Sequence, residues 1–271
     1  MRERYLVNTS STTPTALVTG AGAGTGREYV RLLLADNFRV LAVSLLDDEL
    51  ARLKRDHDPG GDRLVLRRAD LCEPDSAEKL LAWCDEHAYQ VDTLVNNAGF
   101  AAYGFPTEID LAKLERMLLL NVITSTKLSM IFGRRMKERG SGRILVMGSS
   151  AGFSPTVRLA AYGASKAYTN TFSLALGAEL EQSGVTLTCV APGSFQSNFA
   201  ATADVAGFSG NSMMKRIYAT EKLDAAAVAQ AGYRALVQGK PMVTVGNKGV
   251  AAKVLARALS PVFMARRSRI L

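Results

Sequence analysis

Seven short apolar runs, set between stretches with helical spacing, constrain this chain more than any other feature. They are Ala16-Leu17-Val18, Val40-Leu41-Ala42-Val43, Leu64-Val65-Leu66, Thr93-Leu94-Val95, Ile144-Leu145-Val146, Val185 to Val190 and Met242 to Val245. Between them, segments such as Glu28 to Asn37 and Leu80 to Glu86 carry apolar residues at the spacing of a helix face. A strand that is apolar on both faces needs cover on both, and crossover helices supply it in a parallel sheet. Strict alternation of the two patterns predicts an α/β fold: a doubly wound parallel sheet of about seven strands with helices on both faces. No internal repeat or low-complexity linker divides the 271 residues, so a single domain is expected.

The core of that domain spans residues 15–246. Residues 1–14 are polar and read as a flexible N-terminal tail. They lack the apolar centre of a signal peptide, and no later run reaches the roughly 20 apolar residues of a spanning helix. A cytoplasmic location is the expectation. Residues 197–224, rich in Gly, Ser, Ala and Met, follow a strand end and are expected to form a substrate lid. Residues 247–271 form a basic amphipathic extension. It can rest on an anionic membrane as a peripheral contact, fold back over the substrate mouth, or dock on another subunit. Elsewhere the positive charge behind the net +8 is scattered rather than gathered on one face, which argues against nucleic acid as a partner. Three cysteines without a C-x-x-C and only two histidines make neither a disulfide framework nor a His/Cys metal site, and no metal is expected.

The first strand runs into Thr19-Gly20-Ala21-Gly22-Ala23-Gly24-Thr25-Gly26 and then into a helix. Glycines at 20, 24 and 26 let backbone approach a pyrophosphate, and a helix N-terminus presents free N–H groups and a positive dipole end to it. Dinucleotide binding is the expectation. About twenty residues on, an acid would bind the ribose 2′-hydroxyl of NAD and a nearby Arg would favour NADP. The sequence has Ser44-Leu45-Leu46 there, followed by Asp47 and Asp48, which are expected to cap the next helix. The missing acid tips the expectation from NAD toward NADP.

Tyr162-Gly163-Ala164-Ser165-Lys166 opens a helical pattern reaching Glu181, and a spacing of four puts Tyr162 and Lys166 on one face. An ammonium beside a phenol stabilises the phenolate and brings an otherwise poor acid–base toward the working pH range. Ser149, thirteen residues upstream at the end of the strand Arg143 to Met147, offers a second hydroxyl to the same substrate oxygen.

In this order the motifs resemble the short-chain dehydrogenase/reductase family in its compact single-domain form, over about Thr15 to Gly246. The residues that carry the resemblance are Thr19-Gly20-x-x-x-Gly24-x-Gly26, Asp70-Leu71, Asn96-Asn97-Ala98-Gly99, Asn121, Ser149, Tyr162-x-x-x-Lys166 and Pro192-Gly193. The resemblance implies a Rossmann-type fold and an NAD(P)-dependent oxidoreductase that moves a hydride between a nicotinamide and a carbonyl or alcohol carbon. It implies Asp70 and Leu71 against the adenine, Asn97, Ala98 and Gly99 along the ribose, and Asn96 propping the sheet. Pro192, Gly193, Phe195 and Ser197 would line the carboxamide. Asn121, on a helix from Leu111 to Lys137, would hold a water linking Lys166 to solvent. Lys166 would also grip the nicotinamide ribose. A homodimer or homotetramer is implied too, through the helices Leu111–Lys137 and Tyr162–Glu181.

The aromatic residues around the motifs suggest an apolar substrate, with Phe100, Tyr103, Ser150, Phe153 and Phe199 as pocket residues. A competing function class is a catalytically silent dinucleotide-binding sensor or scaffold. The intact set of Asn121, Ser149, Tyr162 and Lys166 favours the enzyme, since binding alone does not require a tuned tyrosine.

Overall fold

The computed structural model describes residues 13–105, 107–194 and 223–267. All but the last two residues of the expected N-terminal tail lie outside it, as do residues 197–222 of the expected lid. The strands are β1 (Thr15–Thr19), β2 (Arg39–Ser44), β3 (Leu64–Arg68), β4 (Val91–Asn96), β5 (Gly142–Met147), β6 (Val185–Pro192) and β7 (Met242–Val245). They form one sheet in the order β3-β2-β1-β4-β5-β6-β7, and every neighbouring pair is parallel. The expected seven-stranded, doubly wound sheet is therefore present. The chain reverses direction across the sheet between β1 and β4, and a ligand crevice opens beyond strand ends at such a switch point.

Helices cover both faces because the strands are apolar on both. On one face α1 (Gly24–Ala35) and α7 (Ala225–Val237) press Tyr29, Leu33, Val228 and Tyr233 against Val18, Val40 and Val190. On the other, α3 (Ser76–Glu86), α5 (Ser125–Arg139) and α6 (Ala160–Glu181) bury Leu80, Trp83, Leu128, Phe132 and Leu180 against Leu17, Leu94 and Ile144. At roughly 2 kcal/mol for each fully buried large apolar side chain, these two layers dominate the stability of the fold.

Two local expectations change. The helix expected from Leu111 to Lys137 is α4 (Leu111–Leu118), a six-residue π turn (Leu119–Thr124) and then α5, so one extra residue is accommodated around Asn121. Such π turns widen the backbone hydrogen-bond step from four residues to five and concentrate at functional sites. Asp47 and Asp48 do not cap α2 (Asp47–His57). They occupy its first turn, with Leu46 in the capping position making no side-chain bond, and so act on the helix dipole instead. Beyond β7 lie α8 (Asn247–Ala258) and α9 (Pro261–Arg267). Among the described residues no helix is long and apolar enough to cross a membrane.

Candidate active site

A cleft of about 540 Å³ opens at the carboxyl ends of the strands, on the β1–β4 switch point. Gly20, Gly24 and Thr25 line it from the β1–α1 loop, and Ser44 lines it from the end of β2. Gly24 has a left-handed backbone (φ 53°), and a Cβ there would meet nothing within 4 Å. Gly26 faces the other way: a Cβ on it would run into the Gly20 carbonyl, so its role is close packing of α1 on the strand turn. Ala23 precedes α1 and offers no side-chain cap, which leaves the first N–H groups of the helix without intrahelical partners at the open front of the loop. This end of the cleft suits the diphosphate of a dinucleotide.

The loop is tied down from β4. The Asn97 side chain donates to the Thr19 carbonyl (2.9 Å) and the Gly20 carbonyl (3.2 Å), and its oxygen accepts from the Thr25 hydroxyl (2.7 Å). Asn97 therefore holds the phosphate loop with its side chain, while Ala98 and Gly99 line the cleft beside it. Asn96 donates to the Ser125 carbonyl at 2.7 Å and so ties the end of β4 to α5. Asp70 and Leu71 line the wall after β3. Partial burial pushes the Asp70 carboxyl up, but the Cys72 N–H and the Arg116 guanidinium, each 2.9 Å away, outweigh it and hold the group below its ordinary range.

The other half of the cleft is built on α6. Tyr162 and Lys166 both line it, and both are buried. The Lys166 ammonium lies 5.9 Å from the centre of the Tyr162 ring and donates to the Met147 carbonyl at 2.8 Å. Burial lowers its pKa to about 8, so it is still predominantly charged at neutral pH. Ser149, just past β5, lines the same space, and its hydroxyl accepts from the Ala151 N–H at 3.1 Å. The serine backbone is clamped on both sides by Asn170. The amide oxygen of Asn170 accepts from the Ser149 N–H (3.3 Å), and its nitrogen donates to the Ser149 carbonyl (3.0 Å). Gly148 and Gly152 leave the room this requires, since a Cβ on either would collide with the Asn170 side chain.

Comparison with known proteins places the family. The short chain dehydrogenase family model matches residues 14–205, most of the chain. The very-long-chain 3-oxoacyl-CoA reductase of Aspergillus oryzae is 33% identical over 189 residues, covering 65% of this chain and 52% of that protein. The NADP-dependent 3-hydroxy acid dehydrogenase of Escherichia coli O6:H1 is 33% identical over 178 residues, 65% of this chain and 71% of that one. Among solved structures, a short-chain dehydrogenase from Streptomyces avermitilis superposes with a TM-score of 0.79 at 23% identity, over 96% of this chain and 98% of that one. The chain belongs to the short-chain dehydrogenase family. It spans about half the length of the fungal relative.

As a short-chain dehydrogenase, the chain gathers most of the residues its motifs point to. Pro192 and Gly193 line the cleft from the end of β6, and Phe100 and Ser150 line it too. Asn121 sits buried in the π turn with its amide engaged: its oxygen accepts from the Phe100 N–H (3.2 Å), and its nitrogen donates to the Phe100 carbonyl (2.9 Å) and the Ser165 hydroxyl (3.3 Å). Its side chain thus braces the β4 turn against α6. Tyr103 and Phe153 are not among the residues lining the cleft. Tyr103 reaches the Arg158 guanidinium (3.5 Å), and Phe153 lies under the Lys253 ammonium (5.9 Å). Phe195, Ser197 and Phe199 lie outside the described residues.

Three site residues escape sequence reasoning. Asn170 carries a weak signal, standing four residues past Lys166 on the same helix face. Glu49, in the first turn of α2, lines the cleft and accepts from the Ser44 hydroxyl at 2.9 Å. An acid is thus present where the strand-end position lacks one. Arg116, 46 positions from Asp70, gives no local signal at all.

Proposed function

We propose that this chain is an NAD(P)-dependent oxidoreductase that interconverts a carbonyl and an alcohol on a small, apolar organic substrate, with Tyr162 as general acid/base. The observation that carries this reading is a single cleft with an uncapped helix N-terminus at one end and Ser149, Tyr162 and Lys166 at the other. The first turn of α1, Asp70, Ala98 and Gly99 would hold the dinucleotide, with Pro192 and Gly193 beside its nicotinamide. Bound there, it would supply or accept the hydride. Ser149 and Tyr162 would hydrogen-bond the substrate oxygen and stabilise the charge that grows on it during reduction. Tyr162 would give its proton to that oxygen in reduction and take it back in oxidation. The Lys166 ammonium, one helical turn away, would favour negative charge on the phenol oxygen. Met147, Phe100 and Leu159 give the substrate end apolar walls.

The test follows NAD(P)H absorbance with a panel of ketones, aldehydes and 3-oxoacyl thioesters, the last included because one relative is named for a 3-oxoacyl substrate and another for a 3-hydroxy acid. Turnover of at least one class is expected, and Tyr162→Phe should lower it roughly a thousandfold while cofactor binding persists. Wild type and variant that bind cofactor but are equally inert would point to the silent sensor instead. A homo-oligomer through α5 and α6 completes the proposal. Met130 on α5 and Tyr168 and Leu174 on α6 are exposed apolar side chains that a second copy would cover.

A further inference from the structure

Most surface helices turn large apolar residues inward. α8 does the reverse. Its inner face is made of small residues: Gly249 is buried, with room for a Cβ only 3.0 Å from the Gly193 nitrogen, and Ala252 and Ala256 are half-buried. Its outer face presents Val250, Val254 and Leu255, which are 48%, 60% and 45% exposed. α9 adds Val262 and Phe263, at 62% and 49%. Arg257 and Arg266 stand exposed among them. Residues 247–271 hold six Lys and Arg and not one Asp or Glu, whereas the rest of the chain is near balance, with 27 against 25.

We infer that α8 and α9 form a docking surface for an anionic lipid membrane. An exposed apolar patch rimmed with cations fits the boundary between headgroups and acyl chains, where the side chains leave water and the guanidiniums meet lipid phosphates. A second copy of the chain is the poorer occupant, because a two-fold interface would set this acid-free, cationic surface against itself. α8 rests on Gly193, which lines the cleft, and its Lys253 covers Phe153 next to the Ser150–Gly152 turn. The docked face therefore sits beside the catalytic end of the sheet, where an apolar substrate could pass between lipid and cleft.

Flotation of the full chain with vesicles tests this, using phosphatidylcholine alone and phosphatidylcholine with about a third phosphatidylglycerol. The expected result is binding to the anionic vesicles, little to the neutral ones, and release at about 0.5 M salt. Arg257→Gln should weaken binding about fivefold. Val254→Ser combined with Phe263→Ser should weaken it at least tenfold. Thermal unfolding and cofactor binding should be unchanged in all variants. Equal binding to both vesicle types, or binding to neither, overturns the inference. So does an oligomer in vesicle-free buffer that the Val254→Ser, Phe263→Ser variant dissociates, because a second copy would then be the occupant.

Discussion

α6 and α8 break the same rule in opposite directions. α6 turns Tyr162, Ser165, Lys166, Thr169 and Asn170 into the protein, where burial of polar groups has to be compensated bond by bond. α8 turns Val250, Val254 and Leu255 out to water. Neither arrangement is what folding stability alone would select. In α6 the buried polar groups are tied into a network: Asn170 to the Ser149 backbone, Lys166 to the Met147 carbonyl, and the Ser165 hydroxyl to the Tyr162 carbonyl at 2.7 Å. In α8 the exposed apolar groups have no such network around them among the described residues, only flanking cations. A departure supported by an internal network points to chemistry, and one left open to solvent points to a partner.

The contrast is broken most forcefully at Lys166. Lys166→Met should cost at least a hundredfold in turnover, yet raise stability by up to roughly 3 kcal/mol below pH 8, because it removes a buried ammonium whose pKa burial has lowered from 10.5 to about 8. The sign of the pH dependence follows from that shift. Between pH 8 and 10.5 the unfolded chain holds a proton on Lys166 that the folded chain has lost, so this lysine makes wild-type stability rise with pH. The advantage of the variant should shrink across that window, and denaturant unfolding at a series of pH values measures it. If Lys166→Met is instead less stable at pH 7, the buried ammonium is structural and α6 is an ordinary helix.

Asn170→Ala comes next. It leaves the Ser149 N–H and carbonyl buried without their partner, so stability should fall by about 2 kcal/mol. In kinetic assays kcat should fall more than KM rises, since Ser149 loses its placement. Glu49 gives a milder effect. Its carboxylate would accept from a ribose 2′-hydroxyl but repel a 2′-phosphate, so Glu49→Gln should improve NADPH binding relative to NADH by about tenfold, as read by ligand fluorescence. An unchanged ratio would separate Glu49 from cofactor choice. The smallest effect belongs to α8: Val254→Ser should shift stability by no more than about 0.5 kcal/mol without vesicles, the value for a surface position.

The same two helices show what could be read from the chain alone. The seven strands, the phosphate loop and the Tyr162–Lys166 pair rest on local spacing, so they are legible residue by residue. Asn121 and Ser149 were visible as motif members, but their bonding was not. The Asn121 side chain reaches Phe100, and Ser149 depends on Asn170, 21 positions away, a contact that exists only once β5 and α6 are packed. Arg116 meets Asp70 only because α4 crosses the strand ends. In α8 the periodicity revealed two faces, but spacing does not say which of them looks inward; the small residues at 249, 252 and 256 settle that through packing.

The six-residue turn at Leu119–Thr124 has a further consequence. It stores one residue of slack in an otherwise continuous rod. Each residue of an α-helix advances the direction of its side chains by about 100°. Excising a single position there would let α4 and α5 merge into one regular screw that still faces the same way, because the widened turn sweeps about the same angle with five residues as an α-helix does with four. The Arg116–Asp70 clasp would then stay in place, while Asn121, carried on the widened turn, would lose its aim at Phe100. The extra residue serves the direction of one side chain and leaves the course of the rod unchanged.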